Sequence, residues 1–258
     1  MDAPSIGFAR LPKSGLIELR ARYGGRVGAY LLDSAAGWDV INRAEHPIEF
    51  GEELEEYGVE VEGEWIGAAT LEGEEFRLGH FVHTPEQVLA VELPYRASTG
   101  TPIQGMLGHP LFMESPIGIN WTHQILTFGP LPPASPVLAE LPLTISDRQA
   151  TLHADIAGIP LEMRLETGAS FSLMIEKADF DLERFVNPEE VDLPPVVGRP
   201  IRFSVARVHL GDLVIEEAKA IYELNPKAPA EGRIGLGLLS RYNLWIDYPG
   251  ERLVLLRR

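Results

Sequence analysis

Leu31-Leu32-Asp33-Ser34-Ala35-Ala36 and Arg164-Leu165-Glu166-Thr167-Gly168-Ala169-Ser170 have the same construction. In each, an apolar run ends on an acid, and a hydroxyl residue and small residues follow. Sliding the chain along itself, the first test for a sequence of this length, extends the likeness. At an offset of 133, residues 18–41 lie over 151–174 without a gap, pairing Leu19 with Leu152, Gly25 with Gly158, Leu32 with Leu165 and Ala36 with Ala169. Asp33 then falls on Glu166. At an offset of 127, residues 105–128 lie over 232–255, pairing Gly105 with Gly232, Gly108 with Gly235, Ile119 with Ile246 and Leu126 with Leu253. Two ungapped blocks in the same order predict a duplicated chain that brings two acidic turns together.

The runs around these turns read as strands. Residues 16–23 and 28–32 flank Gly24-Gly25, and residues 151–156 and 161–165 flank Ala157-Gly158, so both read as hairpins that deliver the acid at a strand end. Further alternating runs fall at 58–61, 64–71, 76–82, 201–208, 213–222, 244–248 and 253–256, separated by turn pairs such as Gly211-Asp212 and Pro249-Gly250. Helix signals are confined to 52–57 and 175–186. Five prolines, at 130, 132, 133, 136 and 142, remove amide donors and stiffen the stretch between the halves. The expected division is therefore a first lobe over residues 14–129, a connection over 130–142 and a second lobe over 143–258.

With 258 residues, 45% of them hydrophobic, the chain can bury a large core. No window approaches the roughly 18–20 apolar residues of a membrane span. Residues 1–13 lack the basic start and apolar run of a signal peptide, so the expectation is a cytoplasmic protein, unless a leader has been removed. The absence of cysteine excludes disulfides, thiolate metal sites and thiol nucleophiles. A net charge of −16 argues against nucleic acid, whose phosphates it would repel, and favours neutral or cationic partners.

At this point the residues resemble a known family, the aspartic peptidases of the pepsin and retropepsin superfamily. Its signature is an apolar strand leading into Asp-Thr/Ser-Gly-Ala/Ser, followed later in the lobe by two apolar residues and a glycine on a strand beside the active-site loop. Here the later element is Met106-Leu107-Gly108 in the first half and Arg233-Ile234-Gly235 in the second. Residues 119–128 and 246–255 are similar to the closing hairpin of such lobes. The resemblance implies an all-β protein of two similar closed lobes facing a central cleft that takes extended polypeptide. It implies Asp33 and Glu166 as the acid–base pair acting on water, with no cofactor and no metal. Ser34 and Thr167 are implied as the hydroxyls that bond across to the opposite loop, and Gly168 as the residue that lets the loop come close. One chain then supplies both halves of the site, so a monomer suffices.

The chemistry accounts for the pairing, since two carboxyls about 3 Å apart share a proton, one serving as base and the other as acid. The chain departs from the pattern at two places. Glu166 stands where the family has Asp, adding about 1.5 Å of reach, and misplacement by about 1 Å already costs ~100-fold in rate. Ala35 stands where the family has Gly. Two functions therefore follow as alternatives: peptide-bond hydrolysis by Asp33 and Glu166, or a pseudoprotease that binds peptide or protein without cleaving it. Taken apart from the duplication, Asp33 reads as an ordinary turn residue, and Glu166 as part of a solvated face shared with Glu162 and Arg164.

Other constellations carry less. The acidic run Glu49, Glu52, Glu53, Glu55, Glu56, Glu60, Glu62 and Glu64 falls where the family places the hairpin over its cleft, and reads first as a solvated face. His80 and His83, three apart on an expected strand, point to opposite faces and make poor metal partners. No His-Glu-x-x-His, phosphate-binding glycine loop or Gly-x-Ser-x-Gly elbow occurs.

Overall fold

The computed structural model describes residues 3–46, 56–61, 64–132, 135–186 and 199–258. Nearly all ordered structure is β, and the strands recur at the offsets read from the sequence. The hairpin Ile17–Tyr23 with Arg26–Leu32, and the short strand Val40–Asn42, have counterparts in Gln149–Ile156, Ile159–Glu166 and Leu173–Ile175. Gly105–Leu107 has its counterpart in Gly232–Gly235. In each lobe the hairpin turns on residues with positive φ, Gly24 and Gly25 in the first and Ala157 and Gly158 in the second, as a tight right-twisted hairpin needs. The strand carrying Gly105 then runs parallel beside the one leading to the acid, with Met106 opposite Leu31, and antiparallel to Val40–Asn42. Arg233 opposite Arg164 repeats this in the second lobe. The threading strand thus lies between the two sides of the acidic loop.

Approach is close at those crossings. A Cβ on Gly108 would lie 2.4 Å from the carbonyls of Ala36 and Trp38, and one on Gly235 would lie 2.5 Å from that of Phe171. Only glycine fits where the threading strand passes the loop. The second lobe closes on itself, with Gln149–Ile156 pairing Ile201–Leu210 at Asp155 opposite His209. In the first, Ile17–Tyr23 pairs Phe76–Leu78.

A six-strand antiparallel ribbon joins the lobes, in the order Ser5–Arg10, Ile125–Phe128, Ile117–Asn120, Asn243–Asp247, Arg252–Leu256 and Val137–Pro142. Its centre is the pairing of Gly118 with Trp245, one strand from each half. Tyr30, Leu32, Leu107 and Phe112 from one lobe and Met163, Leu165, Ile234 and Leu238 from the other are wholly buried in one continuous core. Each such side chain contributes roughly 1.5–3 kcal/mol of transfer free energy.

Several local expectations change. Residues 137–142, the end of the proline-rich stretch expected as the connection, form the ribbon's edge strand; Pro142 closes it, where a missing amide costs little. Ser5–Arg10, outside the expected first lobe, is a strand. The helix expected over 175–186 is instead the end of a strand and one 3-10 turn, Leu182–Arg184. Ile175 is held in the ladder by Tyr222 on one side and Gly232 on the other, and this overrides local helix preference. Of the helix expected over 52–57, residues 52–55 lie outside the described residues, and 56 and 57 begin the strand Glu56–Val61. In the acidic run, Glu49, Glu52, Glu53, Glu55 and Glu62 also lie outside them. The run 76–82 breaks into two strands at Gly79, whose φ is +63°. Short helices follow each threading strand, His109–Glu114 and Leu236–Leu239, the first started by Pro110 at a position suited to proline. No helix among the described residues is long and apolar enough to cross a membrane.

Candidate functional site

The two acidic loops meet where the lobes face each other, locked by a reciprocal exchange. The Ser34 amide donates to Thr167 Oγ1 at 2.8 Å and the Thr167 amide donates to Ser34 Oγ at 3.0 Å. Each hydroxyl passes its own proton on, Ser34 to the Leu165 carbonyl at 3.0 Å and Thr167 to that of Leu32 at 3.2 Å. Both side chains are fully buried with every polar atom engaged. Such a closed network fixes one loop relative to the other. Tyr248, at the end of a ribbon strand, adds a hydrogen bond from its hydroxyl to the Ser34 carbonyl at 2.9 Å.

Asp33 is pinned from both lobes. Its amide donates to the Leu107 carbonyl at 2.9 Å, and its Oδ1 accepts from the amides of Ala35 at 2.9 Å and of Gly168, in the opposite loop, at 3.2 Å. Burial, and next the negative charge of Glu166, push its carboxyl up to about 6; the Ala35 and Gly168 amides and Arg164 offset part of this. A half-buried acid that holds its proton near pH 6 thus sits beside a second carboxyl.

Glu166 is held differently. Both loop amides already serve Asp33, and the longer side chain reaches back along its own strand. Its Oε2 accepts from Arg164 Nη2 and from Arg233 Nη1, each at 3.4 Å. Arg233 also donates through Nε to Glu176, buried at 5% exposure, at 3.1 Å. The equivalent positions in the first lobe are Leu31 and Met106. The strand that ends in Glu166 therefore carries charge where the strand that ends in Asp33 carries apolar groups.

Gly168 is the tightest point of the site. A Cβ there would lie 2.2 Å from Asp33 Cγ and Oδ2. Gly168→Ala is expected to force the carboxyl off the loop amides and lower stability by about 1–3 kcal/mol, whereas Ala35→Gly should stay within about 1 kcal/mol. Thermal unfolding of the two variants checks this, and a Gly168→Ala protein as stable as wild type would show that Asp33 is not pinned.

Behind the first loop, Asp39 and Glu114 carried no sequence signal, and His83 reads from the sequence only as a poor metal partner. Asp39 is fully buried, and its Oδ1 accepts from the Gly108 amide at 2.8 Å while its Oδ2 meets His83 Nε2 at 2.6 Å. The other ring nitrogen of His83 meets Glu114. His83 and His80 are not strand neighbours: His80 is exposed in the turn and His83 is 1% exposed. Burial by itself would lower the His83 pKa, but its bonds to Asp39 and Glu114 outweigh that and raise it. The two acids on either side of the buried ring thus favour its protonated form. Among the described residues no group of His, Asp and Glu converges as a metal site requires. Concavities of about 350 Å³, beside Tyr23, His46 and Glu74, and about 310 Å³, beside Lys177, Pro226 and Glu231, lie away from the paired loops.

Two closed β lobes, a threading strand in each and two acid-bearing loops locked hydroxyl to amide define an aspartic-peptidase-like fold. The crystal structure of basic 7S globulin from soybean is similar over 99% of this chain and 94% of that chain, with a TM-score of 0.57 and 8% sequence identity. At that identity the likeness is one of fold. The sequence matches no protein-family model and no curated protein sequence.

Proposed function

We propose that the protein binds extended polypeptide in the cleft between its lobes and does not hydrolyse it, acting as a monomer because one chain supplies both walls. The carrying observation is the unequal treatment of the two acids. Hydrolysis by this fold needs two carboxyls that exchange one proton around a water. Here Asp33 takes the amides of both loops, while Glu166 is tied to Arg164 and Arg233. Oε2 of Glu166 turns toward two guanidiniums and away from the amides that hold Asp33, so the two carboxyls are not held alike as a proton-sharing pair requires.

A second reading, hydrolysis, draws on one observation. Asp33, pushed up to about 6, and a neighbouring acid held by cations form an unequal pair of the kind that divides acid from base. An unfolded protein substrate, followed for binding and for cleavage between pH 3 and 7, distinguishes the two. Binding without cleavage is expected for wild type. Cleavage by wild type that disappears in Asp33→Asn would overturn the binding reading and establish hydrolysis. Cleavage only after Ala35→Gly combined with Glu166→Asp would mark a site whose geometry, not its fold, prevents turnover.

A further inference from the structure

We infer that Arg164 and Arg233 form a carboxylate-binding subsite in the cleft, so that the bound polypeptide presents an acidic group, a side chain or its C-terminal carboxylate, to the second lobe. The inference rests on the cleft reading above and adds a ligand chemistry to it. Side chains alternate along a strand, so Arg164 shares the face of Glu166, and the parallel register places Arg233 directly across from Arg164. Like charges facing each other across a strand pair are unfavourable. The first lobe avoids the problem by having Leu31 opposite Met106. The second keeps two cations where apolar residues would fit.

Arg164 is also poorly satisfied for a buried cation. Its side chain is 16% exposed, and its contacts are Gln149 at 3.5 Å and Glu166 at 3.4 Å, both at the limit of a hydrogen bond. Its Nε is buried without a protein acceptor. A guanidinium offers five donors in a planar fork, and a carboxylate that fits it lies at about 2.7–2.9 Å. Arg233, 22% exposed and lying over the Phe171 ring at 5.3 Å, presents Nη1 to the same place. Glu166 is then a resident counter-ion, loosely held, which an incoming carboxylate displaces from the guanidinium pair. The chain's charge of −16 repels acidic peptides at long range, but the two guanidiniums govern contact. Added salt should therefore speed association of such a peptide.

The test uses the full chain and labelled extended peptides of neutral composition, with a single Glu or Gln scanned along the sequence and the C-terminus either free or amidated. Binding is read by fluorescence anisotropy. A Glu at one position is expected to tighten binding roughly tenfold or more over Gln if the group is a side chain, and the free acid over the amide if it is the terminus. Arg164→Gln should abolish that preference, so that the Glu and Gln peptides, and the free and amidated ones, bind the variant alike. Equal binding of the Glu, Gln, free and amidated peptides overturns the subsite while leaving the cleft reading intact, as does a preference that survives Arg164→Gln. Should no peptide bind, titration with N-acetylglutamate amide decides, read at the Arg164 Nε–H resonance. A saturable shift there keeps the subsite and removes the polypeptide reading, and no shift removes both.

Discussion

Replacing Asp39 with leucine is expected to lower stability by about 3–5 kcal/mol at pH 6, although Asp39 touches neither of the paired acids. Removing it leaves the His83 ring with Glu114 alone and takes the acceptor from the Gly108 amide, where the threading strand passes the acidic loop. Asp39→Asn keeps an acceptor for Gly108 and removes only the charge, so it should cost less, and the difference between the two separates charge from hydrogen bonding. The pH dependence has a definite sign. His83 binds its proton more tightly folded than unfolded, so its contribution is complete below the ordinary histidine value of about 6.5 and is lost as pH rises through the higher folded value. Urea unfolding of wild type and His83→Gln from pH 5.5 to 9 measures this. Wild type should lose its advantage over the variant as pH rises, and a constant difference would refute the buried cation.

Asp33→Asn is expected to stabilise the protein near pH 7, by on the order of 2–3 kcal/mol. Asp33 is held protonated up to about 6 in the folded chain, against an ordinary value near 3.8. Below the unfolded value both states carry the proton and nothing is lost. Between the two values the folded state alone retains it, so wild-type stability falls as pH rises, and above about 6 the full cost of an ionised, buried Asp33 is present. Asparagine keeps an oxygen for the amides of Ala35 and Gly168 and carries no charge. The variant and wild type should therefore be nearly equal at pH 3.5 and diverge up to pH 6.5. Denaturation curves that stay parallel over that range would show that Asp33 ionises freely and that the two acids do not interact. The same variant is the control that removes hydrolysis if wild type cleaves, so one protein reports on both the energetics and the chemistry of the site.

Much of the architecture was legible because duplication writes it twice. Leu32 over Leu165, Gly108 over Gly235 and Ile119 over Ile246 are local features, an apolar strand end and a glycine at a crossing, and local features survive in sequence. The roles of Ser34 and Thr167 were legible only through family likeness, since a hydroxyl after an acid has no meaning until the other loop stands opposite. Failures fell where long-range pairing overrides local preference: at Ile175, drawn into a ladder between Tyr222 and Gly232, and at residues 137–142, where the proline-rich stretch from 130 to 142 hid an edge strand.

By itself the sequence determined two acid-bearing β lobes, because alternation and turn residues dictate strands and hairpins without reference to distant residues. The tertiary structure decided what each acid does. Asp33 collects amides from both loops, Glu166 turns to Arg164 and Arg233, and Asp39, His83 and Glu114 close into a buried charge cluster. Hydrogen bonding and charge depend on distances between residues far apart in the chain, and only the folded chain brings those residues together.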